Sequence, residues 1–233
     1  MPYFGFYFDP TYILVLIGVA VCFIASAQVK TTYKKYERVI SRSGYTADQV
    51  AYMILRNAGI TDVSIHHIPG DLTDNYNPRE HTINLSDKVY GSRSIAAIGV
   101  AAHECGHAIQ HARHYVPLTV RSAIIPAANI GSSLAWPLVL IGLIIPRLDF
   151  CMTIGILLFS LVVILQLVTL PVEFNASRRA IQIIRDSGYL APDELKGAKS
   201  VLKAAAMTYV AAMVSVSLQL LRLVILRDSR DDD

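Results

Sequence analysis

His103 and His107 stand four residues apart, with Glu104 directly after the first, in the stretch GVAAHECGHAIQH at residues 99–111. On an α-helix, positions four apart differ by about 40° and about 6 Å of rise, so two imidazoles can close on one ion. Glu104 then falls on the adjacent flank, where it can reach a metal-bound water without ligating. The spacing predicts zinc-assisted hydrolysis. His103 and His107 would bind one Zn²⁺, Glu104 would be the general base, and the bound water's pKa would fall to about 7. Such an HExxH arrangement arises by chance in roughly one chain in a hundred of this length. Here it also lies in a predicted helix, which starts near Ser92 or Ser94 and runs to about His114.

The elements that must position these residues alternate between lipid-like and soluble character. Of the 233 residues 53% are hydrophobic and 17% charged, against about a quarter charged in soluble domains. The net charge of +3 is mild, and no basic patch carries interleaved aromatics, so nucleic acid is not an expected partner. Three cysteines, Cys22, Cys105 and Cys151, are too few and too scattered for a disulfide framework. Residues 11–29 carry no charge and are long enough to cross a bilayer. Tyr and Phe crowd the first ten residues, as in an interfacial belt. ASA at 25–27 resembles a signal-peptidase site, but no basic segment precedes the apolar run, which suits a retained anchor. Lys30, Lys34, Lys35, Arg38 and Arg42 follow the run, so the positive-inside rule puts residue 30 onward in the cytoplasm.

Residues 30–118 read as soluble α+β. Thr46 is placed to cap a helix through about Asn57, stopped by Gly59. Residues 62–68 and 81–86 read as strands, with the turn-rich loop PGDLTDNYNPRE between them. Residues 122–146 and 150–170 form a membrane hairpin whose tip holds Arg147. Residues 171–203 are charged again, which makes both ends of the hairpin cytoplasmic. The last apolar run, about 204–226, reads as a fourth span interrupted by Gln219 and Arg222. Asn129, Ser132, Ser133 and Gln166 are expected to bond between hairpin helices.

A catalytic zinc keeps three protein ligands and leaves one position for water. His111 continues the helical spacing but is rotated about 80° from His103 and lies two turns further on. The metzincin continuation is absent, since Arg113 stands where it needs its third His. Two carboxylates are the serious candidates, Asp149 and Glu173. LDF at 148–150 is faintly similar to the LDG motif of site-2-type intramembrane proteases. Asp149, however, sits at the hairpin tip, separated from the HExxH helix by about 30 Å of hydrocarbon. Glu173 follows Pro171 at the cytoplasmic exit of the span, in a helix predicted to end near Gly188. Topology selects Glu173. Cys105 lies about 200° around the helix from His103 and reads as a small buried residue. His66, His67 and His81 read as solvated or core histidines.

GVAAHECGHAIQ together with PVEFNASRRA, DNYNPREHTINLS and the order of spans resembles the YugP-like bacterial membrane zinc metallopeptidases, and is more distantly similar to the HtpX-like gluzincins. The resemblance covers most of the chain. It implies a zinc-dependent endopeptidase anchored in a bacterial membrane, with His103, His107 and Glu173 as ligands. One departure concerns position 177, where the HtpX-like group has an acidic residue and this chain has Ser177. Residues 81–85 are a candidate edge along which substrate would add as a strand. Arg178, Arg179, Tyr189 and Tyr76 are candidates for stabilising the oxyanion.

The expected fold is a mainly α membrane protein: three or four transmembrane helices with a small α+β, zincin-like (gluzincin) domain at the cytoplasmic face. Its parts are an anchor at 1–29, a protease core at 30–120, a transmembrane hairpin at 121–170, the rest of the core at 171–203, and a fourth span with tail at 204–233. The expected function is membrane-anchored zinc endopeptidase in a bacterial inner membrane, holding one Zn²⁺. It would act on peptide or membrane-protein substrates at the bilayer, with a membrane-protein partner or a second copy as further candidates. The alternative is a non-catalytic zinc-containing membrane scaffold, its metal closed by a fourth ligand such as His81 or His111. A third reading has the enzyme cutting inside the bilayer.

Overall fold

The computed structural model describes residues 9–231; the aromatic run at 3–8 lies outside them. In chain order the elements are α1 (Tyr12–Glu37), α2 (Ala47–Asn57), β1 (Ser64–Ile68), β2 (Asn75–Asn77), β3 (Thr82–Ser86), α3 (Ile95–Ala112), α4 (Val116–Ile144), α5 (Asp149–Asp186) and α6 (Pro192–Asp231). A 3₁₀ turn over Pro146–Leu148 joins α4 to α5. The protein is mainly helical with one small sheet. Four helices, α1, α4, α5 and α6, are long and apolar enough to cross a membrane.

Local signals explain the soluble elements. Thr46 caps α2 through a reciprocal box with Gln49, and Gly59 takes the left-handed conformation just beyond the helix (φ +75°). Ser94 caps α3 by accepting from the backbone N–H of Ala97. Pro171, expected to separate a membrane span from a following helix, instead lies inside the unbroken α5.

The chain divides into two compact units. The first consists of Ala25–Ala123 and Val168–Val210. Its sheet has the order β1-β3-β2, with β1 parallel and β2 antiparallel to β3. The expectation that residues 81–85 form an edge is therefore wrong. β3 is central, hydrogen-bonded on both sides, and the edges are β1 and β2. β2 falls within the expected loop 69–80, since Asn-Tyr-Asn is too short to show alternation and lies among turn-forming residues. The core gathers Val50, Ile54, Ile83, Leu85, Ile98 and Ile184, all almost fully buried. α3 is buried nearly all round, which its Ala- and Gly-rich sequence permits. A Cβ on Gly99 would touch Ala198 of α6 at 3.4 Å. Val172, Ala176, Ala180 and Ile184 form a fully buried stripe along α5 at four-residue spacing.

The second unit consists of Met1–Ile24, Ile124–Leu167 and Ala211–Asp233. Its helices pack through small residues. A Cβ on Gly142 would lie 2.5 Å from the Met152 backbone nitrogen, and one on Gly131 would lie 2.9 Å from the Leu158 carbonyl. Large apolar side chains of α1 point outward, Phe23 and Ile24 being 74% and 64% exposed, as a lipid-facing helix requires. Arg222, which weakened the fourth apolar run, is compensated here. Its guanidinium donates to Asp9 at 3.0 Å and Thr11 at 3.2 Å, and lies 4.0 Å from the centre of the Tyr12 ring. Ser132 and Ser133 do not bond between helices as expected. Both donate back to the Asn129 carbonyl of their own helix.

Candidate metal centre

α3 and α5 carry the reactive side chains, and both stretches lie in the first unit. His103 and His107 rise from consecutive turns of α3 with their rings nearly perpendicular, centroids 4.7 Å apart. Their Nε2 atoms face each other at 3.1 Å. Glu173 of α5 brings Oε2 to 3.3 Å from one Nε2 and 3.5 Å from the other. Among the described residues this is the cluster of three or more such side chains that could hold a metal ion. Glu173 Oε2 is buried and has no hydrogen-bond partner. Two ring nitrogens and a carboxylate oxygen turned toward one point suit a cation held between them.

The donor set fits zinc. Two imidazoles and a carboxylate are a catalytic zinc set, and bonds of about 2.0–2.1 Å in a tetrahedron give ligand–ligand edges of roughly 3.3–3.4 Å. The three observed edges bracket that length. Both outer ring nitrogens are also engaged. His103 Nδ1 lies 3.1 Å from Ser177 Oγ, and His107 Nδ1 lies 3.0 Å from Gln110 Oε1.

The approach of α5 to α3 depends on Gly106. A Cβ there would sit 2.7 Å from the Ala176 carbonyl oxygen. Helix propensity alone favours Ala over Gly by about 1 kcal/mol, but overpacking against backbone costs about 1–3 kcal/mol, so contact outweighs propensity. Gly106→Ala is expected to lower the thermal midpoint and weaken zinc binding, both measurable on purified protein in detergent. An unchanged midpoint would contradict this packing.

Glu104, next to His103 on α3, is buried. Burial raises its carboxyl above the usual range, and the neighbouring His103 and His107 offset this only in part. A carboxylate raised in this way is better matched to a general base working near neutrality. Cys105 is the buried small residue expected: its thiol contacts the Ala51 carbonyl at 3.6 Å, and burial pushes its pKa up.

Other candidates lie elsewhere. Asp149 is exposed and accepts from the Phe150 N–H at 2.7 Å, outside the cluster. His111 pairs with the Tyr76 hydroxyl at 2.8 Å, and His81 with Asp62 at 2.7 Å, and neither belongs to the cluster. His66 meets Ser64, and His67 meets Asp87. Among the oxyanion candidates, Tyr189 accepts from Asn57 at 3.0 Å and Arg179 donates to Asn175 at 2.7 Å.

Two residues at the site escaped the sequence reading. Arg121 of α4 donates to Glu173 Oε1 at 3.3 Å, engaging the oxygen that the cluster does not use. Tyr209 of α6 also interacts with the Glu173 carboxylate. The only sequence signal for Arg121 is a single charge beside an apolar run. Tyr209 has none.

The family model described as "Putative neutral zinc metallopeptidase" matches residues 11–228. The "Putative membrane protease YugP" of Bacillus subtilis (strain 168) is 43% identical over 221 residues, covering 94% of this chain and 98% of that protein. No solved structure matches. The chain belongs to the neutral zinc metallopeptidase family.

Proposed function

We propose that this protein is a membrane-anchored zinc metalloendopeptidase of the gluzincin type. His103, His107 and Glu173 would hold one Zn²⁺, and Glu104 would act as general base. The observation that carries the proposal is the convergence of three ligand atoms around the partnerless Glu173 Oε2, with Glu104 following the first histidine on the same helix.

Zinc held there supplies a Lewis acid that makes water nucleophilic near neutral pH and polarises the scissile carbonyl. Glu104 takes the proton of the attacking water and returns it to the departing amine nitrogen. Arg121, tied to Glu173 Oε1, keeps that carboxylate turned so that Oε2 faces the histidines. The substrate strand would lie along the edge strand β2. Because β2 is three residues long, it offers few backbone partners, which favours extended, unfolded segments over folded proteins.

The scaffold alternative needs a fourth protein ligand. His111 and His81, the first residues expected to supply one, lie outside the cluster of His103, His107 and Glu173. The positive charges after α1, and those of 171–203 after the hairpin, support an active site at the cytoplasmic face of a bacterial inner membrane.

Metal analysis and cleavage of an unfolded reporter in detergent test the proposal together. The expected result is one zinc per chain, cleavage abolished by chelation and restored by zinc, and both retained in Asp149→Ala. A protein free of zinc, or cleavage indifferent to chelator, would end it.

A further inference from the structure

We propose that Gln110 is a positioning residue: it dictates which nitrogen of His107 carries the proton, and ties α3 to the turn of α5 that bears Glu173. The inference rests on reading His107 as a metal ligand.

Gln110 is completely buried, three residues beyond His107 on α3. A primary amide has one accepting oxygen and two N–H donors, and which end is which follows from its surroundings. Here the surroundings leave one answer. The Arg179 guanidinium can only donate, and meets Asn175 at 2.7 Å. The Asn175 atom it meets must therefore be Oδ1. Gln110 reaches that same oxygen at 3.0 Å and the Val172 carbonyl at 2.9 Å. Both are acceptors, so the Gln110 atom between them must be Nε2. Its other end, Oε1, then faces His107 Nδ1 at 3.0 Å and can only accept.

His107 Nδ1 must accordingly carry the hydrogen. In the neutral ring Nε2 is then left with a bare lone pair, and that atom is the one directed at His103 Nε2 and Glu173 Oε2. The chain of constraint thus runs from a cation, Arg179, through two amides to the ring. Val172 and Asn175 flank Glu173 in sequence. The amide that sets the proton on one ligand therefore also holds the helical turn carrying another.

His103 differs. Its Nδ1 meets a hydroxyl, Ser177 Oγ, which can donate or accept and so imposes no tautomer. The cluster holds one histidine whose proton is dictated and one whose proton adapts.

Two measurements test this. The first is nitrogen-15 NMR of the histidine rings in metal-free wild-type protein, at a pH high enough for the spectrum to show neutral rings. His107 is expected as a single Nδ1–H tautomer. A dominant Nε2–H form would overturn the proposal, and this arm needs no variant to fold. The second is zinc affinity by chelator competition for Gln110→Leu and Gln110→Glu in detergent, with folding checked by near-ultraviolet circular dichroism. Gln110→Leu is expected to weaken zinc about 10–100-fold, the range for orienting partners of ligand histidines. Gln110→Glu, which still accepts from Nδ1 but cannot donate to Val172 or Asn175, is expected to lose less. Wild-type affinity in folded Gln110→Leu would refute the role while leaving the protease reading intact. Failure of the wild type to bind zinc would instead strike the protease reading, and the tautomer result would stand by itself.

Discussion

Glu173→Gln protein is expected to purify with essentially no zinc. The substitution keeps the size and shape of the side chain but removes the one negative charge directed at the two imidazoles. It also leaves the Arg121 guanidinium, which donates to Glu173 Oε1 at 3.3 Å, facing a neutral amide. Loss of an orienting partner costs about 10–100-fold in metal affinity, so loss of a charged ligand should exceed about 100-fold. Stability gives a second readout. A metal that binds only the folded state stabilises it by mass action, so a chelator should lower the melting midpoint of the wild type and leave that of Glu173→Gln unmoved. Equal zinc content in the two proteins would show that other atoms hold the metal.

With Glu104→Gln the expectation is reversed: full zinc content and nearly no cleavage. Glu104 is adjacent to a ligand without belonging to the cluster, so its amide should leave the metal in place. The reaction loses its proton acceptor, and general acid–base catalysis by a positioned side chain is worth about 10²–10⁴-fold. A fall in kcat/KM of that order, at unchanged zinc stoichiometry, is the predicted result. The pH profile carries the same assignment. Burial raises the Glu104 carboxyl, and a base must be ionised to accept a proton. Wild-type activity should therefore decline as pH falls through a value above the ordinary glutamate range, and the residual activity of Glu104→Gln should lack that limb. Substantial cleavage by the variant would remove Glu104 from the mechanism.

Much of this site is legible along the chain because its logic is local. Four-residue spacing on a helix puts His103 and His107 on one face whatever surrounds them, and Glu104 follows from its place beside the first. Thr46 with Gln49, Ser94 and Gly59 mark helix ends through bonds or backbone angles that span only a few residues. The four apolar runs are properties of composition. Glu173 could be selected over Asp149 because charge flanking the runs orders the segments across a bilayer. That is a coarse argument, but two carboxylates expected on opposite faces of a bilayer need only a coarse one.

What the chain could not disclose are meetings between residues far apart in sequence. β2 is three residues long, and whether it or β3 lies at the sheet edge depends on which strands pair, so the edge assigned to residues 81–85 failed. Arg121 and Gln110 reach Glu173 and its flanking residues across 52 to 65 positions. Nothing in the periodicity of an apolar helix says which of its polar side chains will be met, or by what. That was decided by how closely α3 and α5 approach, which a bare Gly106 against the Ala176 carbonyl permits. Residue types and spacing along a single helix determined the chemistry available to this protein. Only tertiary packing decided which carboxylate oxygen remained without a partner and which ring nitrogen was left bare, because both depend on contacts that form when the helices close on one another.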